Sequence, residues 1–176
     1  MIETIEFERN RYLDFFKHDI EELKKDKNRY GVELLIETNG EDLKHPFNLI
    51  RVDFIYKDEK NADRIISLEL DSYQHYEMIT KTINNAKIEI FPFCWNSCRF
   101  ITDKIETSIL IPWIEKWIDI EDSRYSDYSN SIHNCSMVEK SDNTDEITVD
   151  FGTAPIESMT ELINLLAIDN KILVIK

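Results

Sequence analysis

The sequence predicts a mixed α+β fold, in which helices pack on a central, mostly antiparallel sheet and the chain closes with a strand-helix-strand unit. Three observations support this class. An amphipathic helical pattern opens the chain, two apolar strand patterns flank a polar connector in its middle, and residues 147–176 alternate between strand and helix patterns. A length of 176 residues suits one domain with a substantial core. We therefore expect residues 1–176 to form a single domain.

The first half of the chain begins with a helix and continues with strands. Residues 6–27 carry apolar side chains at three- and four-residue steps among charged neighbours, which is typical of an amphipathic helix. Residues 32–38 are a candidate strand before an Asn39-Gly40 turn. Residues 47–56 and 65–70 are apolar and flank a polar connector, which predicts an antiparallel hairpin.

The middle of the chain mixes helix and strand patterns. Residues 73–85 predict a short helix, and residues 87–101 predict a long strand in which Pro92 requires an edge position or a bulge. Residues 105–120 predict a second helix, with Pro112 as a kink. Residues 121–131 lose apolar periodicity, which indicates an exposed loop.

The last part of the chain is predicted to form strands around one more helix. Residues 132–138 are a weak strand, and 141–144 form a turn. Residues 147–151 alternate apolar and polar types as a half-buried strand does, and Gly152 ends it. Thr153 is the expected helix cap and Pro155 fits the first helical turn. We expect the closing strand, 171–175, to pair with the strand at 147 in parallel through a right-handed crossover.

Composition excludes several function classes. A net charge of -14 and a pI near 4.7 argue against a nucleic-acid partner. Three glycines in the whole chain leave no phosphate-binding glycine-rich loop, so we expect no nucleotide cofactor. The chain also lacks a secretory signal pattern and a membrane-spanning segment. An odd number of cysteines then favours free thiols, and we expect a cytoplasmic protein without a membrane partner.

Catalytic and metal motifs are weak. Cys94 and Cys98, with His133 and Cys135, offer zinc-ligand types, but on an extended strand the first two would lie about 13 Å apart. No Ser or Thr lies in a nucleophile elbow, and the four histidines have no motif partner. The triplet Asp-Phe-Gly at 150–152 lacks the other kinase motifs. We therefore expect no resident metal or cofactor and no catalysis.

One enzymatic alternative stays open. Asp53, Glu69 and Asp71 lie on the predicted hairpin somewhat as the magnesium-binding acids of restriction-type nuclease cores do. The segment Glu69-Leu70-Asp71 lacks the lysine of the Glu-x-Lys motif. A second alternative is a structural or adaptor protein.

The strongest local signal is acidic. Residues 106–150 contain eleven acids against three bases, and two tyrosines are interleaved with them. Carboxylates beside tyrosines suit the binding of a cationic protein surface, through fast electrostatic steering and aromatic anchors. The candidate partner-binding residues are Asp119, Glu121, Asp122, Tyr125, Asp127, Tyr128, Glu139, Asp142, Asp145 and Glu146.

A family resemblance agrees with this reading. The segment ITVDFGTAPIESMTELINLL, the upstream helix ending WIEKWID and the Ile132-His133 strand are similar to immunity proteins of bacterial polymorphic-toxin and contact-dependent growth inhibition systems. The resemblance covers roughly the last 70 residues. It implies tight, non-catalytic binding of a cognate toxin domain, commonly a basic nuclease. It assigns no individual binding residue.

Overall fold

The computed structural model describes residues 1–27, 29–39, 43–70, 72–121, 130–141 and 143–176. The helices are α1 (Ile2–Asp26), α2 (Thr107–Ile118) and α3 (Ile156–Leu166). The strands are β1 (Tyr30–Glu37), β2 (Leu49–Lys57), β3 (Asp63–Ile66), β4 (Ile79–Ile83), β5 (Ala86–Ile90), β6 (Cys98–Thr102), β7 (Asn134–Cys135), β8 (Glu139–Lys140), β9 (Asp145–Asp150) and β10 (Ile172–Ile175). The α+β class is therefore confirmed.

The strands form two sheets where one central sheet was expected. Strands β1, β2 and β3 form a three-stranded antiparallel sheet in that order. The second sheet has the order β4-β5-β10-β6-β9-β7, and β8 pairs with β9 beside this path. Among the described strands, β5 and β10 pair in parallel and the other pairs are antiparallel. The predicted hairpin at 47–70 is confirmed as β2 and β3, although its second strand ends at Ile66.

The C-terminal strand-helix-strand unit is present, but its two strands do not touch. β6 lies between β9 and β10 and is antiparallel to both, so β9 and β10 run in the same direction without pairing. Phe100 of β6 faces Ile147 on one side and Ile175 on the other, and all three side chains are fully buried. The expected direct parallel pair is therefore wrong, because an apolar strand from earlier in the chain fills the position between them.

Two further predictions along the chain are wrong. Residues 73–85 contain no helix, since β4 turns into β5 through Asn84 and Asn85, which both have positive φ (49° and 69°). Two successive residues with positive φ match the twist of a tight hairpin, and asparagine tolerates a positive φ. The predicted strand at 87–101 is divided into β5 and β6 by Pro92 and a 3₁₀ turn at Trp95–Ser97.

One hydrophobic core joins the helices to the sheets. On β9, Ile147 and Val149 point into this core, and the intervening residues are half-buried on the opposite face. Helix α1 buries Tyr12, Phe16 and Ile20 along one side, as its periodicity predicts. No helix within the described residues is long and apolar enough to cross a membrane.

The Asp-Phe-Gly triplet links β9 to α3. The ring of Phe151 is fully buried, with its centroid 4.7 Å from that of Trp95. Trp95 Nε1 donates a hydrogen bond to the Gly152 carbonyl over 2.8 Å. Thr153 does not cap α3, which begins after Pro155. Its hydroxyl instead donates to Glu33 on β1 over 2.6 Å, so the residue ties the two sheets together.

Candidate functional site

The structure separates the predicted partner-binding residues into three groups. Asp122, Tyr125, Asp127, Tyr128 and Asp142 lie outside the described residues. Glu121 and Glu139 are exposed, as an acidic binding surface requires. Asp119, Asp145 and Glu146 are engaged within the fold.

Asp119 and Asp145 do not belong to an exposed surface. Asp119 is 5% exposed and ends α2 in the left-handed conformation, where its carbonyl accepts a hydrogen bond from Arg51 Nη2. Asp145 is 6% exposed and its Oδ2 accepts the Ile105 amide over 2.9 Å, just before α2 begins. The sequence could not reveal these contacts, because acidic residues are usually solvated and both partners lie at least 40 residues away.

Glu139 and Glu146 come together on the outer face of the second sheet. They are direct partners in the antiparallel pairing of β8 with β9. Like charges in this position repel each other. Arg99 on β6 relieves the repulsion through a bidentate ion pair with Glu146, with N–O distances of 2.6 and 2.8 Å. Glu139 therefore remains as the exposed anion of this group.

A second arrangement, which the sequence did not predict, surrounds His133. The His133 amide donates to the Asp150 carbonyl over 2.9 Å, and its own carbonyl accepts the Arg51 amide over 2.8 Å. The residue thus forms a bridge between β9 of one sheet and β2 of the other. Its imidazole is 2% exposed and lies 5.7 Å from the ring of Phe16 on α1.

Carboxylates contact both ring nitrogens of His133. Nε2 lies 2.8 Å from Glu33 Oε1, and Nδ1 lies 2.8 Å from Asp53 Oδ1. The Nδ1 contact has ion-pair distance without the alignment of a hydrogen bond. The Asp150 Oδ2 atom is the third acidic neighbour, 4.0 Å from Nδ1. We call these four residues, Glu33, Asp53, His133 and Asp150, the His133 cluster.

Backbone geometry holds the His133 cluster in place. Glu33 has φ 51°, an uncommon left-handed conformation for a residue inside a strand. Gly152 has φ 46°, and a β-carbon there would lie 2.1 Å from His133 Cδ2. Asp53 Oδ2 accepts the Leu68 amide over 2.6 Å, and Asp150 Oδ1 accepts the Gly152 amide over 2.9 Å. A strained backbone at Glu33 and a glycine that adopts positive φ without strain at position 152 therefore bring these groups together.

The cluster shifts the protonation of its members. Burial alone would lower the pKa of His133, but its contacts with Asp53 and Glu33 raise this pKa well above the usual value. Burial raises the pKa of Asp150 to about 7, although the nearby imidazole opposes the shift. Tyr12 lies beside the cluster, and burial followed by the charges of Asp150, Asp53 and Glu33 raises its pKa well above the usual value. The acidic neighbours thus favour the cationic form of the imidazole.

Comparison with protein-family models, curated proteins and solved structures gave no match. Function therefore rests on the chemistry of the chain's own residues.

A cavity of about 570 Å³ lies against the His133 cluster. Asp53, His133 and Asp150 line its inner end, Glu69 is an exposed residue at its edge, and the apolar lining includes Ile65, Leu68, Leu70 and Tyr73. Ligand pockets of this size range are mainly apolar with a few placed polar groups. Protein atoms enclose most of the Asp150 side chain. It is still 29% exposed, because one side of it faces the cavity.

The geometry disfavours acid-base catalysis by His133. A general base needs an unprotonated nitrogen that can reach a substrate, and carboxylates occupy both nitrogens of this ring. Both oxygens of Asp53 are likewise engaged, one by the Leu68 amide and the other by His133. Within the described part of the chain, no three His, Cys, Asp or Glu residues converge to hold a metal ion.

The sequence did contain a signal for the cluster, in charged residues placed inside apolar strand patterns. Glu33 lies among Val, Leu and Ile, and Arg51 and Asp53 interrupt an apolar run. Charged side chains in such positions are often paired when they are buried. The pairing itself was not readable, because Glu33 and His133 are 100 residues apart.

Proposed function

We propose that this chain is an immunity protein that binds and neutralises a cognate bacterial toxin domain, a basic nuclease, without catalysis of its own. The observation that carries the proposal is the uneven charge balance at the surface. Within the described residues, at least ten Lys and Arg side chains form an ion pair with a carboxylate. Since acids outnumber bases 35 to 21, the charge left to meet a partner is negative.

The exposed acids Glu121 and Glu139 are the described residues that we assign to this surface. Asp119 and Asp145 are removed from it because they are buried. An acidic surface of this kind steers a basic partner into contact, so added salt should weaken binding mainly by slowing association. The free thiols of Cys94, Cys98 and Cys135 support a reducing compartment, and we propose the cytoplasm.

A growth-rescue experiment tests the function. The chain is co-expressed in bacteria with the C-terminal domain of the protein encoded immediately upstream of its gene. We expect restored growth and a complex that co-purifies. A toxic domain that still kills cells expressing folded protein at equal level, and that forms no complex, would contradict the proposal.

A pair of variants tests the binding surface with the purified chain and the purified toxin domain. Glu121→Gln with Glu139→Gln should slow association with the toxin domain several-fold at low salt. The matched control is Glu3→Gln with Glu59→Gln, which removes the same charge from exposed positions on α1 and in the β2–β3 turn. Equal association rates for the two double variants would remove Glu121 and Glu139 from the binding surface.

A further inference from the structure

The cavity beside the His133 cluster has an unbalanced charge. One imidazolium faces three carboxylates, Glu33, Asp53 and Asp150, so the fully ionised cluster carries two net negative charges. None of the described residues that line the cavity is a lysine. Arg51 also lines it, but its guanidinium donates to the carbonyls of Glu33, Ile118 and Asp119. Its charge is therefore directed at backbone oxygens.

Asp150 is the member of the cluster that a ligand can reach. Glu33 and Asp53 are 1% and 8% exposed at their side chains, against 29% for Asp150. The Asp150 Oδ1 atom is occupied by the Gly152 amide, whereas Oδ2 lies 4.0 Å from the imidazole, beyond hydrogen-bond distance. Asp53 also lines the cavity, but its Oδ1 is buried against His133 Nδ1 at 2.8 Å and its Oδ2 accepts the Leu68 amide. The inner end of the cavity thus has acceptor capacity that the protein does not use.

Ser67, Asn96, Ser97 and Asn134 are polar residues of the remaining wall, and another part of it is apolar and aromatic. Leu68 and Leu70 are half-buried along it, and Tyr73 is 47% exposed. A long basic side chain places its methylene groups on surfaces of this kind while its charged end reaches an acid. An aromatic ring beside the path adds attraction for the cation. The cavity therefore matches a ligand that is apolar along its length and positive at its tip.

We propose that this cavity binds a guanidinium or ammonium group on an aliphatic stem, with Asp150 as its ion-pair partner and Leu68 and Tyr73 against the stem. A Lys or Arg side chain of a protein and a free small amine share this chemistry. The site does not depend on the proposed immunity function, since it is tested with the purified chain and small probes, without any toxin.

The first experiment titrates the isotope-labelled full chain with Nα-acetyl-arginine methylamide at about pH 8, followed by NMR. The neutral isostere Nα-acetyl-citrulline methylamide is the matched control ligand. We expect saturable shifts at His133, Asp150 and Leu68, and at least about tenfold weaker binding of the citrulline probe, because it lacks the charge that Asp150 pairs with. Agmatine is the third probe. Tighter binding of agmatine assigns the site to free amines, and equal or weaker binding assigns it to a protein side chain.

The second experiment uses variants. Asp150→Asn keeps the shape and the acceptor for the Gly152 amide, and it should weaken the arginine probe about tenfold. Glu69→Gln, at the exposed edge of the cavity, should weaken it about two- to threefold. It also provides a test if Asp150→Asn fails to fold. Glu59→Gln, in the exposed β2–β3 turn, should leave affinity unchanged.

Binding should also follow the ionisation of Asp150. The groups that face it are His133, Asp53, Glu33 and Tyr12. Since burial raises the pKa of Asp150 to about 7, the arginine probe should bind several-fold more tightly at about pH 8 than at about pH 6. The proposal is overturned if citrulline binds as tightly as arginine, if shifts map away from the cavity, or if neither Asp150→Asn nor Glu69→Gln weakens binding.

Discussion

Glu33 Oε1 and His133 Nε2 lie 2.8 Å apart although 100 residues separate them in the chain, and both side chains are at most 2% exposed. The same Glu33 oxygen accepts the Thr153 hydroxyl over 2.6 Å. One carboxylate on β1 therefore joins the three-stranded sheet to the segments on either side of β9. The contacts of the His133 cluster make it the polar link between the two sheets.

Removal of this carboxylate should be costly. Glu33→Ala leaves a buried imidazolium without one of its acids, and we expect the free energy of unfolding to fall by about 3–5 kcal/mol. Urea unfolding at neutral pH measures it. Glu22→Gln is the control, because Glu22 forms an exposed ion pair with Lys25 on α1 and its loss should not move the midpoint. Equal midpoints for the two variants would mean that Glu33 contributes little.

The turn at Gly152 should not accept a side chain. In Gly152→Ala the new β-carbon would overlap the His133 ring at 2.1 Å, and the backbone has φ 46°. We expect a loss of at least about 2 kcal/mol, since positive φ and the steric overlap both act against alanine. Thermal and urea unfolding measure the loss. The control is Gly31→Ala, where the nearest atom is the flexible end of Leu34 at 2.5 Å. If Gly31→Ala were the more damaging change, the His133 contact would not be what requires glycine at 152.

Stability should fall as pH rises from about 4 to about 7 because of Asp150. Burial raises its pKa from 3.8 to about 7, so the folded state binds this proton where the unfolded state has lost it. The slope for one such group is at most about 1.4 kcal/mol per pH unit. Asp150→Asn should lose this slope and be more stable than the parent chain above pH 7. The difference between the two unfolding curves isolates Asp150 from the other carboxylates. Parallel curves across this range would contradict the prediction.

His133 should remain doubly protonated in the folded protein above neutral pH. Its pKa is raised, so it stabilises the fold fully below the unfolded pKa and loses this contribution as pH rises through the folded value. Nitrogen NMR of the imidazole at about pH 8 should show both nitrogens of His133 protonated. A neutral His133 ring at that pH would show that one acid of the cluster is protonated instead.

Arg51 should not tolerate lysine. Its buried guanidinium donates to the carbonyls of Glu33, Ile118 and Asp119, and so connects β1 and the end of α2 to β2. A lysine cannot reproduce this fork, so Arg51→Lys should cost about 2–4 kcal/mol in urea unfolding. Arg64→Lys is the control, because Arg64 forms an exposed pair with Asp58. The interpretation fails if both lysine variants unfold at the parent midpoint.

The sequence by itself determined the elements that have strong periodicity. Helices α1, α2 and α3 and the closing strands were predictable because each buries apolar side chains that recur at its own period. The β2–β3 hairpin was predictable from two apolar runs around a polar connector, although β3 is mostly exposed. The sequence failed at residues 73–85, where Tyr76, Ile79 and Ile83 fit helical spacing although the Asn84-Asn85 turn makes a hairpin. Local patterns cannot decide between a helix and a hairpin when a segment contains few apolar residues.

The tertiary structure alone decided which strands are neighbours and which charges are buried. β6 separates β9 from β10, and this choice depends on the fit of side chains such as Phe100 between Ile147 and Ile175. The sequence predicted Asp119 and Asp145 to be surface acids, and it indicated that Asp150 belongs to an Asp-Phe-Gly triplet without functional meaning. Their roles depend on Arg51, Ile105 and His133, which lie far away or across a strand pair. An acidic side chain has a structural role only where a partner lies beside it, and folding brings that partner from a distant part of the chain.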